Sequence, residues 1–301
     1  MFDTVKLKAE NIVVNPHLLE AINSKVTTYL DRETGSITDV YAFSTQQIPY
    51  VRYTTNTLKL EVELSVPKFL YGENVTLLTM KDIDAFFTLL NRHLQMVLGV
   101  DIDKSEWKVK RVDVCWNFQT GNKVQDYLFK LSLMKFPRRN TIVYNQTESV
   151  IWSNNSSRVT FYDKEKECRD KNCTLQMIKR AKGILRMEIT ASEHELKSYN
   201  SDKRAVHLLT KEFFIFITRK FSPYLVFRDN PVITMEWLLS LKNIQEAETV
   251  IGFNTLVNTF GLSPLKDFYS QGTLASRLKM MTKTPASMDL PPLEIAYSAI
   301  S

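Results

Sequence analysis

Three short stretches alternate apolar and polar residues with a period of two, and this pattern constrains the fold more than any other feature. In residues 58–64, Leu58, Leu60, Val62 and Leu64 share one face, and Lys59, Glu61 and Glu63 share the other. In 111–118, Val112, Val114, Trp116 and Phe118 oppose Arg111, Asp113, Cys115 and Asn117. In 184–190, Leu185, Met187 and Ile189 oppose Arg186 and Glu188. Side chains alternate across a strand, so each stretch predicts a strand with one core face and one acid-bearing face. Residues 5–9 and 51–53 also read as strands, and 149–152 and 158–161 flank the hairpin signal SNNS. Helical spacing covers 82–98, with an Asp start, and 123–135. After about residue 200 the pattern is helical, at 204–221, 234–242, 245–260 and 274–281, and the tail from Pro285 reads as peripheral. In this region Leu256, Val257, Phe260, Leu262 and Leu265 read as core. The expected fold is α+β. A mainly antiparallel central sheet with helices on one side occupies 1–200, and a helical region for DNA or partner binding occupies 201–301.

Composition removes several classes. The 301 residues are 44% hydrophobic and 11% aromatic, enough for a sizeable core and against extensive disorder. No apolar run approaches the roughly 20 residues of a membrane-spanning helix. The opening MFDTVKLKAE lacks the basic-then-apolar order of a secretory signal. Cys115, Cys168 and Cys173 are too few for a disulfide framework, and free thiols are the better reading of the Cys168–Cys173 pair. The four histidines form no zinc motif. A net charge of +6 favours a polyanionic partner.

If the three alternating strands are neighbours, Glu61, Asp113 and Glu188 converge on one face. Clustered carboxylates repel unless a cation or a proton neutralises them, and hard oxygens suit Mg²⁺ or Mn²⁺. By patterning alone, a solvated polar face is the stronger reading of these acids. Arg158 to Glu167 reads RVTFYDKEKE, which places Tyr162 where a strand meets a charged helix start. An activated phenol is a nucleophile for covalent catalysis. By itself, the segment reads more simply as a strand end with solvated lysines.

The order of these segments resembles the replication initiators of filamentous phages and related rolling-circle plasmids, the gene-two/gene-ten type. The resemblance rests on MFDTVKLKA at the start, EVELSVPKFLYGEN from Glu61, KRVDVCWNF from Lys110, SVIWSNNSSRVTFYDKEKE from Ser149 and LRMEI from Leu185. It covers most of residues 1–200. The His-hydrophobic-His metal motif of many other rolling-circle nickases is absent, so the resemblance implies that carboxylates do most of the metal binding.

The resemblance implies a nickase-type fold and a metal-dependent nicking and joining enzyme acting on origin DNA, as duplex or extruded single strand. Tyr162 is then the nucleophile, leaving a 5′-phosphotyrosine and a free 3′-hydroxyl, and Lys164 lowers the phenol pKa or contacts phosphate. Asp113, Glu188 and Glu61 are the candidate ligands of Mg²⁺ or Mn²⁺, with Glu63 sharing the Glu61 face. Lys68, Arg111, Arg186 and the basic loop of Lys135, Arg138 and Arg139 are candidate DNA contacts, with Arg111 and Arg186 read equally well as balancing the acids on their strand faces. Gly72 reads as a turn glycine. Implied partners are a host helicase and polymerase and a second copy as a homodimer, with no membrane, in the cytoplasm of a bacterial host. A non-catalytic DNA-binding protein on the same scaffold and a water-activating, metal-dependent nuclease are the alternatives.

Overall fold

A computed structural model describes residues 1–134, 136–155, 157–227, 233–283 and 290–300. The chain divides into two compact units, Met1–Val226 with Pro292–Ser301, and Phe227–Pro291. Among the described residues of the first unit, ten strands form one sheet. They are Phe2–Ala9 (β1), Lys25–Leu30 (β2), Ile37–Phe43 (β3), Tyr50–Thr54 (β4), Lys59–Ser65 (β5), Lys108–Gln119 (β6), Asn140–Tyr144 (β7), Ser149–Ser153 (β8), Arg158–Asp163 (β9) and Ile184–Ala191 (β10). Their spatial order is β2-β3-β4-β5-β1-β6-β10-β9-β8-β7. Every neighbouring pair is antiparallel, as the alternating pattern predicts.

One face of the sheet is the core. Val5 and Leu7 of β1, Leu60, Val62 and Leu64 of β5, Val112 and Val114 of β6, Val159 and Phe161 of β9, and Leu185, Met187 and Ile189 of β10 are all buried there. Each such side chain contributes about 1.5–3 kcal/mol relative to exposure. The Met80–Leu98 helix begins two residues before Asp82, whose carboxylate completes a capping box with Thr79, and Gly99 closes it at a φ of +67°. Its buried stripe of Ile83, Phe86, Leu90, Leu94 and Leu98 has helical spacing, and Phe86 meets Phe69 edge-on at 5.8 Å. The second expected helix spans Val124–Leu133. The Lys211–Arg219 helix sets Phe214 against Phe2 at 6.5 Å and Trp116 at 5.9 Å, on the core side of β1 and β6.

Helices also occupy the other face, contrary to the one-sided arrangement expected above. Lys164–Asp170 and Leu175–Ala181 pack there through a cluster of Val75, Cys168, Ala181 and Ile184. Ile184 has the same parity on β10 as Arg186 and Glu188, so this cap covers one end of the polar face.

The second unit is helical in its described residues, with helices Met235–Ser240, Ile244–Phe260, Leu262–Leu265 and Gln271–Met281. Ala247, Val250, Phe253 and Leu265 form its core, and Phe253 meets Tyr269 edge-on at 5.7 Å. Phe260, expected in the core, is 61% exposed. No described helix is long and apolar enough to cross a membrane.

Candidate active site

The register of β6, β10 and β9 fixes which side chains meet. Arg186 stands opposite Asn117 on one side and Tyr162 on the other, and Glu188 stands between Cys115 and Thr160. Tyr162 and Glu188 are therefore diagonal neighbours on one face, within reach of long side chains. The Tyr162 hydroxyl donates to Glu188 Oε1 at 2.6 Å.

Arg186 is fully buried beneath this pair. Its Nε donates to Glu188 Oε1 at 3.0 Å, its Nη2 to Asp3 Oδ2 at 2.7 Å and its Nη1 to the Asn74 carbonyl at 2.6 Å. Asp3 also accepts from Ser65 Oγ at 2.7 Å. A buried charge persists only when paired and hydrogen-bonded, and this guanidinium has partners on all three nitrogens. The sequence leaves Arg186 as either a DNA contact or a balance for the acids. With no exposed surface, it is no DNA contact and holds two carboxylates together.

The electrostatics follow from burial. Burial raises the Glu188 pKa, and Arg186 only partly opposes it. Burial also works against ionised Asp3, but the Arg186 charge and the Ser65 hydrogen bond outweigh it and hold the carboxyl below its ordinary range. Tyr162 is pushed well above the ordinary phenol value, first by burial and then by the Glu188 charge. The resting phenol is thus protonated and aimed at a carboxylate.

This corrects the expected action of Lys164 on the phenol. Lys164 is fully buried, and its ammonium donates to Asn74 Oδ1 at 3.0 Å and Glu167 Oε2 at 2.7 Å. It lies 5.8 Å from the centre of the Tyr162 ring. The local reason is the helix start. Asp163 caps the Lys164–Asp170 helix by accepting from the Glu165 and Lys166 amides. Lys164 is the first helical residue, and its side chain runs inward to Asn74. Lys166 and Lys171 line the cleft instead.

Asp113 lies one register step beyond Glu188, opposite Thr190. Arg111 binds it with Nε at 3.1 Å and Nη2 at 2.7 Å, and also reaches Glu63 at 3.5 Å. Burial raises the Asp113 pKa, although Arg111 opposes the shift. Glu61 is not brought to this group. It sits opposite Lys8 and Arg52, four residues before Ser65, about 13 Å along the strand at 3.3 Å per residue. Asp3 occupies the third carboxylate position that was expected for Glu61. Strict alternation puts Asp3 on the core face with Val5 and Leu7. A register shift between Phe2 and Val5 turns it to the other face.

Tyr162 and Glu188 open onto a cleft of about 410 Å³. Its walls carry Glu148, Asp163, Glu167, Asp170 and Glu188 against only Lys166 and Lys171. Lys166 pairs with Glu148, and Lys171 with Glu167. Such a wall repels a phosphodiester unless a cation accompanies it. No group of three or more His, Cys, Asp or Glu side chains among the described residues is arranged as a ready metal cage. Mg²⁺ commonly takes one or two carboxylates and completes its shell with water and substrate phosphate. Asp3 and Glu188, gathered by Arg186, are hard donors of that kind, and Asn117 Oδ1 on the same face is buried without a partner. The donor set therefore fits a divalent cation shared with substrate, not a closed protein site.

The remaining basic candidates scatter. Lys68 is exposed on the Val66–Tyr71 helix, which Gly72 ends at a φ of +75°, as its turn reading predicts. Arg138 is exposed in a turn. Arg139 packs over Phe136 and Phe221 at 4.7 and 5.2 Å and donates to Ser157 Oγ, so it serves packing. Lys135 lies outside the described residues. The sequence reading missed Asp3 and gave no role to Asn74, the last residue of the EVELSVPKFLYGEN motif, or to Lys166, in the charged segment after Tyr162.

Comparison with known proteins agrees with the ordered motifs. The family model described as the N-terminal region of the replication-associated gene-two protein of phages matches residues 1–213. No curated protein matches the chain.

Proposed function

The chain belongs to this family of replication-associated initiator proteins, and on that premise we propose that it nicks and rejoins origin DNA with Tyr162 as the nucleophile. The observation that carries the reading is the 2.6 Å hydrogen bond from the Tyr162 hydroxyl to Glu188 in an open cleft. A nucleophile within hydrogen-bond reach of a base, itself oriented by a third group, is the arrangement covalent catalysis needs. Here the third group is Arg186.

Tyr162 Oη attacks the scissile phosphorus, and its proton passes to Glu188. The new bond joins Oη to phosphorus, and the bond from phosphorus to the 3′-oxygen breaks. The 3′-oxygen takes a proton from solvent and leaves as a free hydroxyl. Rejoining reverses these steps, so no nucleotide cofactor is consumed. The raised Glu188 pKa narrows the gap to the phenol and makes proton transfer easier. When bound by Asp3 and Glu188, with Asp113 beside them, Mg²⁺ or Mn²⁺ supplies positive charge to the phosphate oxygens.

The test is an SDS-resistant protein–DNA adduct on a supercoiled plasmid bearing the cognate origin, in Mg²⁺ or Mn²⁺. Wild type should form it and Tyr162→Phe should not. Cleavage that persists without an adduct in Tyr162→Phe would assign the chemistry to an activated water. DNA binding without cleavage in wild type would assign the chain a purely binding role.

A further inference from the structure

The face that carries Tyr162 continues across β8 to β7. Tyr144 pairs with Ser149, and Ser149 pairs with Tyr162. The two tyrosines thus share one row and one face, two strand spacings or about 9.6 Å apart. In the next row, Ile142 pairs with Ile151 and Ile151 with Thr160. Tyr144 is 49% exposed and Ile142 is 40% exposed, and β7 is an edge strand of the described sheet. Ser149 and Thr160, between these residues and the nucleophile, line the Tyr162 cleft. Arg158 is exposed four residues before Tyr162 on β9, about 13 Å down the same face. Its Nε donates to Thr160 Oγ1 at 3.2 Å, and among the described residues no carboxylate pairs with it.

An open aromatic ring continuous with a nucleophile suits a nucleobase, because every base has a π-face and stacking tolerates any sequence. In a duplex those faces are covered by neighbouring pairs, so only an unstacked nucleotide can use the ring. Arg158 offers a cation for the backbone at about the spacing of two nucleotides. We propose that Tyr144, backed by Ile142, is a stacking platform for an unpaired nucleotide beside the scissile phosphate, with Arg158 on the phosphate backbone. This deepens the nicking reading on which it rests by naming the residues that would hold an unpaired strand.

The experiment measures fluorescence anisotropy of labelled dT12 and a 12-base-pair duplex in Mg²⁺. The full chain carries Tyr162→Phe so that nothing is cleaved. Adding Tyr144→Ala should weaken dT12 binding by about 5- to 150-fold, while duplex binding stays unchanged. Tyr144→Phe should stay within about twofold of its parent. Arg158→Ala should lower the salt dependence of dT12 binding by about 0.7 in log–log slope. Unchanged dT12 binding by Tyr144→Ala overturns the platform, as does an equal loss in the Phe variant. Unchanged DNA binding with an altered sedimentation coefficient would mark β7 as a protein edge and also overturn it. Failure of the nicking reading shows separately, as a missing adduct in wild type with the Tyr144 dependence of dT12 binding intact.

Discussion

On β10, Arg186 and Glu188 stand two residues apart on the polar face, and on neighbouring β6, Arg111 and Asp113 do the same. The chemistry is alike, but the surroundings are not. Arg186 has 0% side-chain exposure and spreads its donors over Glu188, Asp3 and Asn74. Arg111 is 45% exposed and binds Asp113, with a long contact to Glu63. The capping helices and the Asn74 loop close over β10, and that end of the face becomes the site. Spacing on a strand therefore sets which face a charge occupies, and what covers the face decides its work.

The largest test of this contrast replaces each arginine. Arg186→Met leaves Asp3 and Glu188 buried without their cation, at a cost of about 3–5 kcal/mol in denaturant unfolding. Arg111→Met should cost less, about 1–3 kcal/mol, because it leaves one buried carboxylate without its partner, not two. Similar losses for both would break the comparison. Tyr162→Phe removes a hydrogen bond to a charged acceptor, for about 1.5–3 kcal/mol by the same measurement, together with all adduct.

A pH profile sharpens the contrast further. Burial raises Glu188 in the metal-free site, and a cation held by the same carboxylate would lower it again, so the acid limb of adduct formation should move to lower pH as Mg²⁺ rises. Asp3→Asn removes one of the two carboxylates proposed to hold the cation, so adduct formation should require more Mg²⁺. Asp3 titrates in the opposite sense for stability. Its folded pKa is depressed, so its contribution is present above its unfolded value near 3.8 and is lost as pH falls through the lower folded value. The smallest effect belongs to Glu61→Gln, which should change stability by no more than about 0.5 kcal/mol and leave adduct formation intact. A large loss of adduct in that variant would return Glu61 to the site.

The centre of the sheet was legible because β5, β6 and β10 each bury one face, which leaves a period-two signal. The edges were not. Every residue of β2 is exposed, and β7 is nearly so, so neither shows one-sided alternation. In the site, Tyr162 and Glu188 were found by motif order, and the register brings them together. Asp3 was hidden by an irregularity that reverses its face. Lys164 was misread because a strand-to-helix junction gives no direction to the first helical side chain. The buried role of Arg186 depends on Asp3 and Asn74, distant residues that no local pattern connects.

The most direct measurement of the central claim is peptide mapping of the covalent adduct formed with an origin-derived oligonucleotide. After nuclease and protease digestion, mass spectrometry should place the nucleotide on Tyr162 in wild type. In Glu188→Gln the same peptide should carry far less of it. Modification of another residue, Tyr144 included, or undiminished labelling in Glu188→Gln, would contradict the account.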